Sequence, residues 1–180
     1  MNLFKVVLVF VVIAAWMLWR SWKAAAAQRE EQDWLPARLR GATLSFSEKK
    51  FFEDGPYPLV ARVDRAYLTP DGETILADFK RRSAKRTFES DSVEISAQRA
   101  AMMANGVKRV SRLAYVVVVD PRASTKTAIP IQLEDEHQIH DRIRRLIAVR
   151  DGRMAPRSTT NAAICRRCGH QTYCDKVVVA

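Results

Sequence analysis

Cysteine is scarce and oddly placed. The 180-residue chain has three, Cys165, Cys168 and Cys174, all within ten residues of one another. An odd, clustered set is no disulfide framework, and metal ligation in a reducing compartment suits it better. Histidine is equally sparse at three residues. His137 and His140 sit on a late helical pattern and read as surface residues, no Ser/His/Asp arrangement supports nucleophilic catalysis, and no glycine loop is placed to cradle a phosphate. Acids are in deficit: 20 Asp+Glu against 30 Lys+Arg leave a formal charge of +10. That excess favours a polyanionic partner, nucleic acid or an anionic lipid surface, without choosing between them. Internal repeats and low-complexity stretches are absent.

Long uncharged apolar runs are also lacking, with one exception. Val6 to Trp19 is fourteen consecutive apolar residues between Lys5 and Arg20, and seventeen from Leu3 if Lys5 snorkels. That is the short end of what spans a bilayer, and Trp16, Trp19 and Trp22 gather at one end as an interfacial belt does. A single transmembrane anchor over residues 1–23 is the expectation. A cleaved signal peptide and a buried core helix are the alternatives, the first opposed by Lys23 and the tryptophans just before its small-residue zone. Arg20, Lys23, Arg29, Arg38 and Arg40 follow the span, which places the remainder in the cytoplasm by the positive-inside rule.

Residues 24–40 read as a linker helix ending near Pro36, and residues 41–180 as one domain, large enough at about 140 residues to bury its own core. The segment from Arg38 to Phe52 fits no single pattern. Leu59 to Leu68 and Glu73 to Lys80 alternate as strands around Pro70-Asp71-Gly72, with Gly72 set for a positive φ, which makes a hairpin. Asp91, with Glu94 three residues on, opens a helix over Val93 to Asn105 that Gly106 stops. Arg112 to Val119 is a buried strand, Lys126 to Leu133 another, and Glu134 to Val149 an amphipathic helix with Ile139, Ile143, Leu146 and Ile147 on one face. The order β-β-α-β-β-α implies a mixed α/β domain.

Within the hairpin, Asp64 stands seven residues before Asp71 and Asp78 seven after, so antiparallel pairing sets them opposite each other, their β-carbons ~5 Å apart. Lys80 shares the face of Asp78. Two such close carboxylates repel unless a cation neutralises them, and hard oxygen ligands suit Mg2+ or Mn2+. An ammonium beside the cation could steady charge developing on a phosphate. A solvent-facing Asp–Asp–Lys cluster is the plain alternative. Against it, Val60, Ala61, Val63, Ile75, Leu76, Ala77 and Phe79 embed the acids in apolar strand, which is costly without a purpose.

The string Val63-Asp64, thirteen residues, then Asp78-Phe79-Lys80 resembles the PD-(D/E)XK nuclease superfamily, most closely its RecB-like branch. The resemblance implies an α/β fold of the restriction-endonuclease-like kind, a mixed sheet flanked by helices. It implies metal ligation by Asp64, Asp78 and the Phe79 backbone carbonyl, and assistance of the attacking water by Lys80. RecB-like members carry a glutamine on the helix after the motif strand, and Gln98 stands there, positioned to steady DNA or Lys80. An aromatic usually follows it in that family, where this chain has Met102 and Met103. Glu48 is the counterpart considered for the acid that the family carries on an earlier helix.

Cys165-Arg166-Arg167-Cys168 with Cys174 is similar to the C-terminal cysteine triplet of RecB-like iron–sulfur nucleases of CRISPR adaptation, which own a fourth cysteine that this chain lacks. An iron–sulfur cluster, a Cys3His zinc site completed by His170, and three thiols that bind nothing all stay open. Arg81, Arg82, Lys85 and Arg86 run on from the motif and are the expected phosphate contacts. The function implied is a Mg2+- or Mn2+-dependent nuclease acting on DNA from the inner face of a membrane. The alternative is a silent module of the same fold that binds nucleic acid or a protein partner there.

Overall fold

A computed structural model describes residues 10–23, 34–157, 159 and 162–169. Residues 10–23 are helical, here α1. After a single 3-10 turn at Ala37–Leu39 come three strands, β1 (Thr43–Glu53), β2 (Leu59–Leu68) and β3 (Thr74–Arg81). Helix α2 (Glu89–Ala104) follows, then β4 (Leu113–Val119), β5 (Lys126–Gln132), α3 (Glu136–Arg150) and the short α4 (Ala162–Cys165). The chain divides into two compact units, residues 1–139 and 140–180.

The first unit is built on one five-stranded sheet in chain order, β1-β2-β3-β4-β5. Every neighbouring pair is antiparallel except β3 and β4. A parallel pair needs a crossover, and α2 supplies it. α2 lies on one face of the sheet, over a core of Val63, Ala66, Leu76, Ile95, Ala101, Met102, Val116 and Leu133. The other face carries a smaller core of Leu35, Leu39, Tyr67, Ile75, Ala77 and Val117, edged by Trp34 and Phe79. β4 is apolar on both faces because both are covered.

The β2–β3 hairpin matches the sequence expectation closely. Gly72 has φ +78° and Thr69 closes the turn, its hydroxyl donating to the Glu73 carbonyl at 2.8 Å. Four differences from the sequence reading have physical reasons. The ambiguous Arg38–Phe52 segment contains a strand, β1, so the order is β-β-β-α-β-β-α. Its pattern was hidden because Phe46 and Phe51, an odd number of residues apart, both pack into the α2-side core. α2 begins at Glu89, with Phe88 rather than Asp91 as N-cap. Asp91 sits in its first turn and reaches back to accept the Phe88 amide at 2.8 Å. In α3, Ile139 is buried but Leu146 is 67% exposed, so the proposed apolar face is not continuous.

The fourth difference concerns the N-terminus. Among the described residues no helix is long and apolar enough to cross a membrane. The described helix is 10–23, and its apolar side chains are exposed, from Phe10 at 68% to Trp22 at 75%. The first residues of the expected span and most of the expected linker helix, 24–33, lie outside the described residues. Residues 34–40 are a turn and the 3-10 turn rather than a helical extension.

Candidate active site

The sheet forks where the site lies. The β2–β3 ladder runs from Leu68↔Thr74 to Arg65↔Ala77 and stops. Beyond that point β3 keeps pairing with β4 as far as Arg81↔Val119, while β2 keeps pairing with β1 as far as Glu53↔Leu59. Asp64 and Asp78 are the next residues on the two arms, so they stand at the mouth of the fork. One Asp64 oxygen, Oδ2, accepts the Phe79 backbone amide at 3.0 Å, standing in for the ladder bond that the divergence removes.

The strand partner of β2 helps to turn it. Val63 and Ala66, three residues apart, enter the same core, so alternation breaks between them at Asp64 and Arg65. Across the ladder, Ser47↔Arg65 and Lys49↔Val63 pair but the intervening Glu48 and Asp64 do not. Glu48 has φ +54°, a left-handed conformation that is strained for any residue with a β-carbon. Both strands thus change face together beside the first acid. Glu48 is on a strand, exposed and ion-paired with Arg62, which sets it apart from an acid on an earlier helix.

Asp78, Lys80 and Arg82 alternate onto the α2 side of β3, and α2 runs back past them. Each is met by a residue about one helical turn nearer the start of the helix, giving three rungs. Gln98 Nε2 donates to Asp78 Oδ1 at 3.3 Å. Lys80 Nζ lies 2.7 Å from Glu94 Oε2 and 2.9 Å from Asp78 Oδ2. Arg82 binds Asp91, with Nη2 2.6 Å from Oδ2 and Nη1 3.2 Å from Oδ1. Gln98 is itself buried, at 3% exposure, and meets Asp78 rather than Lys80. Met102, where an aromatic was considered, is a fully buried core residue.

The electrostatics follow from depth. Asp78 is 1% exposed. Burial is the largest influence on its carboxyl and raises its pKa; the Lys80 contact opposes this, Asp64 and Glu94 add to it, and the result is about 6. Burial alone would lower the Lys80 pKa, but the hydrogen bond to Glu94 and the close negative charge of Asp78 outweigh that and hold it above the ordinary lysine value. The Lys80 ammonium is close to Asp78 Oδ2 yet off the direction of a hydrogen bond, so this buried oxygen has no hydrogen-bond partner among the described residues. A buried carboxylate oxygen without a hydrogen bond is costly. A cation is one thing that would satisfy it. Asp64 and Asp78 offer carboxylate oxygens, the donor type that Mg2+ and Mn2+ prefer. Among the described residues no group of three or more His, Cys, Asp or Glu could hold a metal ion, so the side-chain acids offered here are two, Asp64 and Asp78.

The family profile of the PD-(D/E)XK nuclease superfamily matches residues 12–175. The chain belongs to the PD-(D/E)XK nuclease superfamily. Such proteins are typically phosphodiesterases that bind nucleic acid and use divalent metals such as Mg2+ or Mn2+. No curated protein matches the chain by sequence. Among solved structures, a similar one is titled "Crystal structure of SSO0001", with a TM-score of 0.45, 14% identity, and 76% of this chain aligned to 60% of that one. The chain therefore spans less than two thirds of the length of that protein.

In this superfamily member the basic run after the motif divides. Arg82 is turned inward: besides Asp91 it donates to the Arg86 carbonyl at 2.7 Å and lies over the Phe88 ring. It ties down the β3–α2 loop and is not available to a phosphate. Arg81, Lys85 and Arg86 are exposed. Cys165 is half-buried and Cys168 exposed, both as free thiols. His170 and Cys174, the other expected ligands of the cysteine cluster, lie outside the described residues. The sequence reading missed Glu94 as a site residue, having given it a role in helix capping. The signal that could have found it is its spacing, four residues before Gln98 and so on the same helical face.

Proposed function

We propose that the chain is a divalent-metal-dependent nuclease of the RecB-like kind that hydrolyses phosphodiester bonds of DNA. The observation that carries this reading is the buried Asp78 oxygen without a hydrogen bond, at the mouth of the sheet fork beside Asp64 and Lys80. Asp64, Asp78 and the Phe79 carbonyl would hold Mg2+ or Mn2+, which when bound supplies Lewis acidity and lowers the pKa of water. Lys80, charged and held between two acids, presents an ammonium to the nucleophilic water and to charge developing on the phosphate. Gln98 fixes the rotamer of Asp78. Arg81, Lys85 and Arg86 supply cations along the route of a phosphate backbone.

The same reading places the protein on a membrane, with the nuclease domain on the cytoplasmic side. Its support is the uncharged run from Val6, the exposed apolar side chains of α1, and the tryptophans and basic residues at the end of that helix. Cys165 and Cys168, with His170 and Cys174, form the proposed zinc or iron–sulfur ligand set. Incubating the purified protein with single-stranded DNA, duplex DNA and RNA, in Mn2+ and in chelator, tests the activity. DNA cleavage that chelator abolishes is expected. Intact DNA in Mn2+, with binding retained, would favour a silent nuclease-fold module instead.

A further inference from the structure

We propose that Glu94 is a positioning residue that takes over the Lys80 ammonium when a divalent cation occupies Asp78. The inference rests on the nuclease reading above.

Three observations converge on it. Lys80 Nζ is shared between two carboxylates of different character, 2.9 Å from Asp78 Oδ2 and 2.7 Å from Glu94 Oε2. The Asp78 side chain is 2% exposed and that of Glu94 is 52% exposed. The oxygen that Lys80 approaches on Asp78 is the buried one without a hydrogen bond, whereas its contact with Glu94 is a true hydrogen bond. Asp78 is therefore the acid on which a divalent cation gains most, and its contact with Lys80 is an ion pair without a directed hydrogen bond, while Glu94 already holds the ammonium by one.

A cation arriving at Asp78 meets Lys80 as a like charge a few ångströms away. Like charges at that range in a partly buried site repel strongly if neither can move or find a counterion. Glu94 provides the counterion without requiring Lys80 to leave. The hydrogen bond to Oε2 is already made, so the ammonium only has to release Oδ2. It stays at the site, where it can meet the water and the phosphate. α2 fixes this geometry, because Gln98, one turn further on, holds the other oxygen of Asp78. One helix thus positions both the ligand and the lysine.

Without Glu94 the ammonium has Asp78 as its nearest acid, and there it competes with the cation. Losing an outer-shell partner of this kind costs metal affinity by tenfold or more. The effect is conditional on Lys80. With Lys80 absent there is nothing for Glu94 to hold, and removing Glu94 matters little. A Glu94 that bound the cation directly would give the opposite pattern, with the loss persisting in the absence of Lys80.

Mn2+ binding, measured calorimetrically and by the loss of the free-ion EPR signal, separates these cases in four proteins: wild type, Glu94→Gln, Lys80→Gln and the double variant. Circular dichroism melts confirm that each is folded. Glu94→Gln should weaken binding about tenfold and Lys80→Gln should strengthen it, with Glu94→Gln changing affinity by less than about threefold in the Lys80→Gln background. An equal loss in both backgrounds overturns the proposal in favour of direct ligation, and no loss in either overturns it outright. Failure of the wild type to bind Mn2+, or binding unchanged by Asp78→Asn, overturns the nuclease reading and the proposal together.

Discussion

Asp78 is the side chain on which burial and chemistry conflict most. Its carboxyl titrates near pH 6, against 3.8 for an ordinary aspartate, with burial as the main cause. Between those values the folded, metal-free chain holds a proton that the unfolded chain has released. Its contribution to stability is therefore complete below about pH 4 and is lost as the pH rises through about 6, a change of about 3 kcal/mol. An asparagine side chain cannot ionise, so the Asp78→Asn variant lacks this dependence. Urea unfolding of both proteins in chelator at pH 4 and pH 7 checks it: the wild type should lose stability relative to the variant on going to pH 7. Parallel behaviour would mean that Asp78 is not a buried titrating acid. The site is thus ionised at neutral pH at a cost to the fold, a common trade where a charge is kept for function.

At the scale of elements, the β3–α2 loop separates the ion-paired Arg82 from Arg86, an exposed cation whose guanidinium lies over the Phe88 ring. Arg82 joins Asp91 to the loop carbonyl of Arg86, with both charged side chains largely buried. Arg82→Ala leaves Asp91 without its cation and should cost about 2–4 kcal/mol of stability, read from urea midpoints. Arg86→Ala should leave stability nearly unchanged and reduce the salt dependence of DNA binding by about one unit of slope. A reversed outcome would exchange the two roles. Both arginines belong to one basic run, and sequence alone could not divide it, because the division depends on Arg82 reaching Asp91 of α2 across the β3–α2 loop, a tertiary contact. The β2–β3 hairpin was legible for the opposite reason: its turn chemistry and alternation are local, and counting outward from Asp71 gives its register as far as Arg65↔Ala77, although the ladder ends there and does not pair Asp64 with Asp78 as expected. β1 was not legible, since its face-switch beside Glu48 destroys the two-residue period. Gln98 was reached through resemblance, but its partner was not, because the approach of a helix to a strand is a tertiary fact.

The whole chain carries a formal charge of +10 and an apolar helix near its N-terminus. Among the described residues, neither packed core of the sheet includes any before Trp34. Removing residues 1–23 should therefore leave a soluble, cooperatively folding domain, whereas the full chain should sediment with membranes and resist release by high salt. A full-length chain that stays in the supernatant, or a C-terminus protected by the membrane from a cytoplasmic protease, would contradict the anchor. The domain carries the central claim, that Asp78 is a metal ligand of a working nuclease. Replacing it by Asn keeps the side-chain volume and removes a metal-binding charge, while leaving untouched the lysines and arginines that would bind phosphates. Comparing wild-type and Asp78→Asn soluble domains for cleavage and binding of DNA in Mn2+ is the most direct test. Cleavage should fall by at least ~10²-fold with binding retained or tightened; equal cleavage by the two proteins would mean that Asp78 is no metal ligand.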